Sequence, residues 1–539
     1  MLTVAQEQTS QGFNIPAPIK GIDTRQVLSR MDPETTISMI NIMPEEEGCA
    51  FRAGTLEYGN GSTGDNPYTL LPFNGLAEDG TEDLLFLCDQ DGIWDVTTSG
   101  DTSPTKVFSW ATTTAGAGIC SYIQTIDTNG AAYVLLCDKL NGYHVYTVST
   151  STWAAVAQGA GATQVASPAD PTKFAYVMKW KERVWFIQED TQTAWYMDVL
   201  ALYGTATKFE FGNKHPHGGF LNTLSEFTRD GGDGADDMLV SVSTGGDISL
   251  WTATDPDNDM QMVGRWFVGE TPTVGRRGSI EYGGDVYVLS VRGITSMSAL
   301  IEGKTLTNER NLLTDKIGPF IRSVMTQGRA TFGWGLVIDA SRGTLIITTP
   351  DFPSYDRLQF VLNLTTDAWA IWQDMPIEHG AMFRDNFYVC KTVDSANRVY
   401  KLTGFVDDVR ISGSPDPLGI NWSVMGAYTD GGAPVANKQV HFLRPVFTQG
   451  SYPSYVIEAK YDFDVSGITF TPVIGNTNVA LWGSALWSSA LWAGAGASAE
   501  TPSGGAGMGR HFTYALKGIS SSAGKFITTE LIANVGGLL

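Results

Sequence analysis

Residues 133–148 read YVLLCDKLNGYHVYTV: an apolar run from Tyr133 to Cys137, a polar turn at Asn141-Gly142, and a second run from Tyr143 to Val148. Two such runs flanking a short Asn-Gly turn are the strongest short-range signal for a β-hairpin. A lone hairpin cannot bury its apolar face, so this one needs neighbours. The sequence supplies them. Similar units begin at Leu84 (LLFLCDQDGIWDV), Arg183 (RVWFIQEDTQTAWYMD), Met238 (MLVSVSTGGDISLWT), Asp285 (DVYVLSVRGITSMS), Thr344 and Asn386. Their starts recur at intervals of roughly 50 residues, a period in the propeller range. Radial stacking of four-stranded sheets lets each hairpin pack on the next and leaves only short edges. The expected fold is therefore all-β, a β-propeller of about seven blades over residues 59–405. An open sandwich or several small barrels would be the competing arrangement.

Composition agrees with this reading. The chain has 539 residues with 60 Gly, 15 Trp, 19 Tyr and 25 Phe, and only 17% are charged. Strands recruit aromatic and β-branched residues, and their turns recruit Gly, Asn and Asp. Net charge is −22, the reverse of the basic footprint of a protein that grips phosphates. No run approaches the roughly 18 apolar residues that span a bilayer. The first residues, MLTVAQEQTSQGFNIPAPIKG, lack the basic start and apolar middle of a signal peptide, so synthesis and retention in the cytoplasm is the expectation. Five scattered cysteines (Cys49, Cys88, Cys120, Cys137, Cys390) form no C-x-x-C pair and signal neither a disulfide framework nor a zinc site, and Cys88, Cys137 and Cys390, in apolar strand-like runs, are expected as buried reduced thiols.

Three regions are expected. Residues 1–58 form a docking arm with a short helix through Ile37 and Ile40, started by Asp32-Pro33 and ended by Pro44. The propeller over 59–405 carries an inserted helix near 312–328, where Ile317, Phe320, Ile321 and Val324 have helical spacing behind Pro319. Residues 406–539 form a C-terminal β-sandwich-like domain. Within it ALWGSALWSSALWAG spaces Trp482, Trp487 and Trp492 by five. That step keeps neither a helix face nor a strand face, so the indoles are read either as partner contacts or as that domain's own core.

Catalytic signatures are sparse. No G-x-S-x-G elbow occurs. GISSSAGK (Gly518–Lys525) mimics a phosphate loop but has one residue too many between its glycines, and Phe526 stands where Ser or Thr is required. His215 and His217 sit in a Gly-rich loop without a zinc-binding helix and are read as a solvated pair. Asp230, Asp233, Asp236 and Asp237 make one acidic loop, and Asp255, Asp257 and Asp259 another. The second opens like a calcium loop, but Met260 replaces the turn glycine and Trp266 the closing glutamate. Sialidase Asp-boxes are absent, and TTDAWAIW (Thr365–Trp372) is a distant echo of one. No catalytic, cofactor-binding or metal-binding residue is assigned, and no enzymatic activity is expected.

Three segments resemble the propeller-containing tail proteins of short-tailed bacteriophages, called tail nozzle, tail tubular or packaged-DNA stabilisation proteins. The first is PAPIKGIDTRQVLSRMDPETTISMINIMPEEEGCAFRAGTLEYG, similar to that family's opening at Pro18, Gly21, Arg25, Met31, Asn41, Pro44, Arg52 and Gly54. It departs at Asp23, where Asn is usual, and at Met43, where Phe is common. The second is LTDKIGPFI, which looks like the family's helix between blades. The third is the Trp repeat ahead of the C-terminal β-domain. The resemblance implies a virion structural protein assembled in the host cytoplasm into a ring, expected as a hexamer, below the head-to-tail adaptor. Its partners would be its own copies, the adaptor ring, and tail fibre or needle proteins. Double-stranded DNA would pass without tight or specific binding, since an acidic lumen offers no counterion-release affinity. Two alternatives stand beside this: a receptor-binding or fibre-adaptor tail protein, and a propeller glycosidase or lyase with carboxylates clustered at the axis.

Overall fold

The computed structural model describes residues 9–63, 67–75, 80, 82–100, 103–230, 235–303, 312–351, 357–393, 396–410, 418–448, 453–467 and 507–536. The chain is all-β and propeller-like. Successive antiparallel sheets cover 67–109, 120–155, 174–210, 221–267, 279–296, 335–372 and 379–402. The fifth has three strands, and the seventh is completed by Thr55–Thr63 from the N-terminal side, paired with Ala396–Leu402. The first strand of each sheet is innermost. Pro67–Phe73, Cys120–Ile126, Phe174–Trp180, Leu221–Asp230, Ser279–Tyr282, Gly335–Asp339 and His379–Phe383 pack in succession, and the last packs on the first, closing a ring.

Each sequence unit forms the two middle strands of a sheet, as Ala132–Asp138 and Gly142–Thr147 do. The reason these strands read as nearly continuous apolar runs is burial on both faces. In Leu84–Asp89, Leu85 and Leu87 point into the core shared with the seventh sheet, whereas Phe86 and Cys88 face the second sheet beside Tyr146 and Trp153. Leu135 and Cys137 likewise face the third sheet while Val134 and Leu136 face the first. Aromatic pairs fill the wedges, including Phe174 stacked on Phe186 at 4.4 Å and Trp185 on Tyr196 at 4.5 Å.

The N-terminal segment departs from expectation. No helix passes through Ile37 and Ile40. Leu28–Arg30 is a short 3-10 turn, Ser38–Ile40 is a strand, and Pro44 lies inside the strand Ile42–Glu45. Asp32 does not cap a helix; its carboxylate accepts from the amide of Glu34 two residues on, which closes a local turn. Tertiary pairing then decides the conformation: Ile40 is laddered between Ile371 and Ser423. The helix Gly318–Gly328 forms as expected, with Pro319 in its first turn and Ile321, Val324 and Met325 buried.

Nor do residues 1–58 and 406–539 pair as separate bodies. Thr9–Pro16 pairs along Lys525–Val535, and Gly48–Phe51 meets the same strand. Ser38–Ile40 joins Leu418–Met425, which continues through Phe512–Ser520 to Ser454–Tyr461. The two resulting sheets face each other across Phe51, Trp422, Phe447, Tyr514 and Phe526. One of them is continuous with the sixth propeller sheet through Ile40 and Ile371.

A polar seam locks this β body to the ring. Arg52 is fully buried and donates from Nη1 and Nη2 to both oxygens of Asp407, and its Nε donates to Asn41 Oδ1 at 2.9 Å. Asn41 takes a left-handed backbone (φ 57°), donates to the Asn421 carbonyl and accepts from the Gln373 amide. Four segments thus meet on one amide side chain. A Cβ at Gly54 would lie 2.0 Å from the Val406 oxygen, and one at Gly21 (φ 72°) 2.5 Å from the Trp369 oxygen, so only glycine fits either place.

Candidate functional site

The connections that lead into the innermost strands converge on the ring axis, and one of them carries the feature most suggestive of function. Between the fourth and fifth sheets the chain reads TPTVGRRGS, a basic doublet in an acidic protein. Gly275 (φ 90°) and Arg276 (φ 47°) are both left-handed. For arginine that conformation costs about 1 kcal/mol or more, and such strain concentrates at functional sites. Arg276 is 8% exposed; its Nη1 donates to the carbonyls of Leu221 and Asn222, and its Nη2 has no hydrogen-bond partner among the described residues. Arg277 reaches the first sheet, where Nη1 donates to the Tyr68 carbonyl and Nη2 to Thr69 Oγ1. It therefore bridges across the axis.

No described carboxylate lies within ion-pair distance of either guanidinium. Burial pulls Arg276 down to about 10, which leaves it cationic at neutral pH, and lowers Arg277 too. An unpaired buried charge is expensive, by several kcal/mol. Beside Arg276 lies a cavity of about 130 Å³ walled by Ile119, Leu140, Phe220 and Phe332, with Lys139 at its edge. The Arg276 guanidinium sits 5.4 Å from the Phe220 ring centroid. Lys139 is held by Asp190 at 2.8 Å.

Beyond the arginines, the innermost strands of the fourth and fifth sheets contribute Glu226 and Glu281. The Glu281 carboxylate accepts from the Glu226 amide at 2.7 Å. Both carboxyls are pushed up, first by surrounding protein; for Glu226, nearby Asp237 and Glu281 add to it. Tyr122, raised to about 12 by burial, sits on the innermost strand of the second sheet, and Tyr176, on that of the third, donates to the Leu224 carbonyl. These are the groups a propeller hydrolase would need at its axis. Sequence reasoning singled out none of them. Only ring closure brings the sheets to one axis, although the Arg276-Arg277 doublet between glycines was a readable anomaly.

The candidates that sequence reasoning did name fare differently. Of the pair read as solvated, His217 is exposed and His215 is not. His215 is buried, donating from Nδ1 to Gln192 Oε1 at 2.8 Å and accepting at Nε2 from Ser249 and Ser241. Burial depresses it to about 4, too low for a general base near neutral pH. His217 pairs with the buried carboxylate of Asp247 at 2.7 Å and stacks on Phe267. The loop of Asp255, Asp257 and Asp259 is internally satisfied: Arg183 binds the first two at 3.0 and 2.7 Å, and Asp259 accepts from the amides of Thr254 and Asp255. Asp237 accepts from Thr228, whereas Asp233 and the side chains of Asp230 and Asp236 lie outside the described residues, as do Trp482, Trp487 and Trp492. GISSSAGK is the turn between Phe512–Ser520 and Lys525–Val535. All five cysteines are buried and free.

The N-terminal motif and LTDKIGPFI meet in space. Arg25 bridges Asp23 and Asp315, 290 residues away, and Thr24 donates to the Lys316 carbonyl through both its amide and its hydroxyl.

No family model matches the chain, and no curated protein does. Among solved structures it is similar to the extracellular domain of a hybrid two component system from B. thetaiotaomicron, at 12% identity and a TM-score of 0.38. The match covers 62% of this chain and 40% of that one. The chain therefore spans less than half of that neighbour, and a likeness so distant bears on neither activity nor assembly.

Proposed function

We propose that the chain is a non-enzymatic structural protein of a short-tailed phage tail, a nozzle or tail-tube hub, whose ring of sheets is a seven-bladed propeller. The observation that supports it is the contact just described: two segments that resemble the tail family, remote in sequence, form one joint through Arg25, Asp315 and Thr24. Other residues of the same resemblance, Gly21, Asn41, Arg52 and Gly54, occupy positions where the fold demands their chemistry.

In this reading copies of the chain form a ring, a hexamer by the resemblance, docked on the adaptor ring and carrying fibre or needle proteins in the virion tail. Since Arg277 bridges the propeller axis, the genome's path runs between subunits. The net charge of −22 suits a wall along which DNA slides. Light scattering and negative-stain imaging of the purified chain, with and without its adaptor, test the proposal. An open ring, alone or on the adaptor, is expected; a monomer that ignores the adaptor would refute it.

Glu226 and Glu281 favour the glycosidase or lyase alternative enough to merit one assay. Turnover of a polysaccharide panel that disappears in Glu281→Gln would replace the structural reading with the enzymatic one.

A further inference from the structure

We propose that the axial mouth beside Arg276 is a binding site for a small organic anion, a carboxylate carried on an apolar body of about the size of a benzene ring. Three observations converge on this. The cavity of about 130 Å³ is close to the roughly 150 Å³ in which an apolar protein cavity admits benzene. Its walls are Ile119, Leu140, Phe220 and Phe332, which offer such a body two aromatic faces and aliphatic sides. The charge that lines it is unmatched: Arg276 is buried, cationic, and paired with no described carboxylate, while the second cation, Lys139, already holds Asp190.

The distribution of charge makes the mismatch informative. The chain has 57 acidic and 35 basic residues, yet Asp190 and Glu189 act on Arg276 only from beyond ion-pair distance, each being held by a lysine of its own, and the buried Arg52 by contrast has Asp407 on both nitrogens. A buried guanidinium left with carbonyls alone is stabilised when an anion enters beside it. Left-handed Arg276 following left-handed Gly275 is a backbone arrangement that local packing does not favour, and it keeps the guanidinium at the cavity wall. Phe220 beneath it supplies a cation–π face that holds the cation in place without neutralising it.

The inference does not depend on the assembly proposal, since it concerns the single chain. It is tested by calorimetric titration of the intact protein with benzoate, benzyl alcohol and acetate. Saturable benzoate binding is expected, with benzyl alcohol weaker by about ten-fold or more for want of the charge. Acetate, which stands in for an acidic side chain of another protein, is expected to be weaker by a similar factor for want of the apolar body. Arg276→Gln should erase the preference for benzoate over benzyl alcohol. Should that variant fail to fold, Phe332→Ala decides the matter: Phe332 is 38% exposed, and its loss should weaken benzoate and benzyl alcohol alike by several-fold. The proposal is overturned by no saturable benzoate binding, by benzyl alcohol or acetate binding as tightly, or by unchanged affinities in either folded variant.

Discussion

Acidification should loosen this fold through its buried histidines, and His144 is the place to measure it. Its ring is 2% exposed, packed edge-on against Phe108 and Trp110 at 5.0 and 5.1 Å, with Nδ1 donating to the Gly142 carbonyl. Burial lowers it from 6.5 to about 4, as it does His215, and takes His379 well below its ordinary value. A group whose folded pKa is depressed contributes stability that is whole above its unfolded pKa and is lost as pH falls toward the folded one. Between pH 8 and pH 5 the unfolded imidazole gains a proton that the folded one refuses, which costs about 2 kcal/mol per ring, and about 4 for His144 and His215 together. Asp138 works the other way. It is buried, with Oδ1 unpartnered, and is raised to about 6. Its ionisation burdens the fold at neutral pH, and protonation by pH 5 returns about 1.4 kcal/mol. Replacing His144 by Phe removes one titration and keeps the ring packing. Urea unfolding followed by Trp fluorescence at both pH values, with imidazole NMR alongside, gives the comparison. The loss from pH 8 to pH 5 should be smaller in His144→Phe by about 2 kcal/mol, and the missing Gly142 hydrogen bond cancels because it is absent at both pH values. An unchanged pH dependence, or a His144 resonance that titrates near its ordinary value, would refute the reasoning.

Other outcomes follow from the same structure. Asp407→Ala strands the buried Arg52 guanidinium and should cost about 3–5 kcal/mol by thermal unfolding, far more than removing a surface partner such as Glu34. Glu281→Gln should raise the melting temperature only slightly near pH 8, because the carboxyl is raised there but exposed and screened by solvent, and the gain should vanish below pH 4, about where the unfolded group also protonates. The five thiols should be silent to a disulfide reagent in the native protein and react together on denaturation, since all are buried and burial pushes Cys49, Cys120, Cys137 and Cys390 up.

What could be read in the sequence was local. YVLLCDKLNGYHVYTV and its companions announce hairpins because both their strands and their turns are written in consecutive residues. The outermost strands were harder to see: Gln261–Phe267 places Met262 and Val263 in solvent and lacks the apolar density of a middle strand. Ser38–Ile40 was mistaken for helix because three residues carry too little pattern to outweigh an Asp-Pro start, and the partners that make it a strand lie beyond residue 360. The axial residues were invisible for the same reason. Glu226 and Glu281 are each one polar position in an ordinary alternation, and only the ring brings their strands together. His215 was misjudged because Gly-rich surroundings suggest solvent, whereas Gln192, Ser241 and Ser249 arrive from separate strands and turns to enclose it.

The ladder between Thr9–Pro16 and Lys525–Val535 has a mechanical consequence. Its register runs from Thr9 opposite Val535 to Pro16 opposite Thr528, so the two strands leave the sheet side by side at one edge. Tension drawing residues 9 and 535 apart would unzip the rungs one after another instead of loading them all in shear. The first strand would peel away at low force, and the load would then pass through the Arg25–Asp315 joint and the Ser38–Ile40 strand to the Arg52–Asp407 clasp before any of it was felt by Thr55–Thr63, the strand that closes the ring. The molecule thus has a built-in order of yielding, in which the outer seam gives first and the ring last.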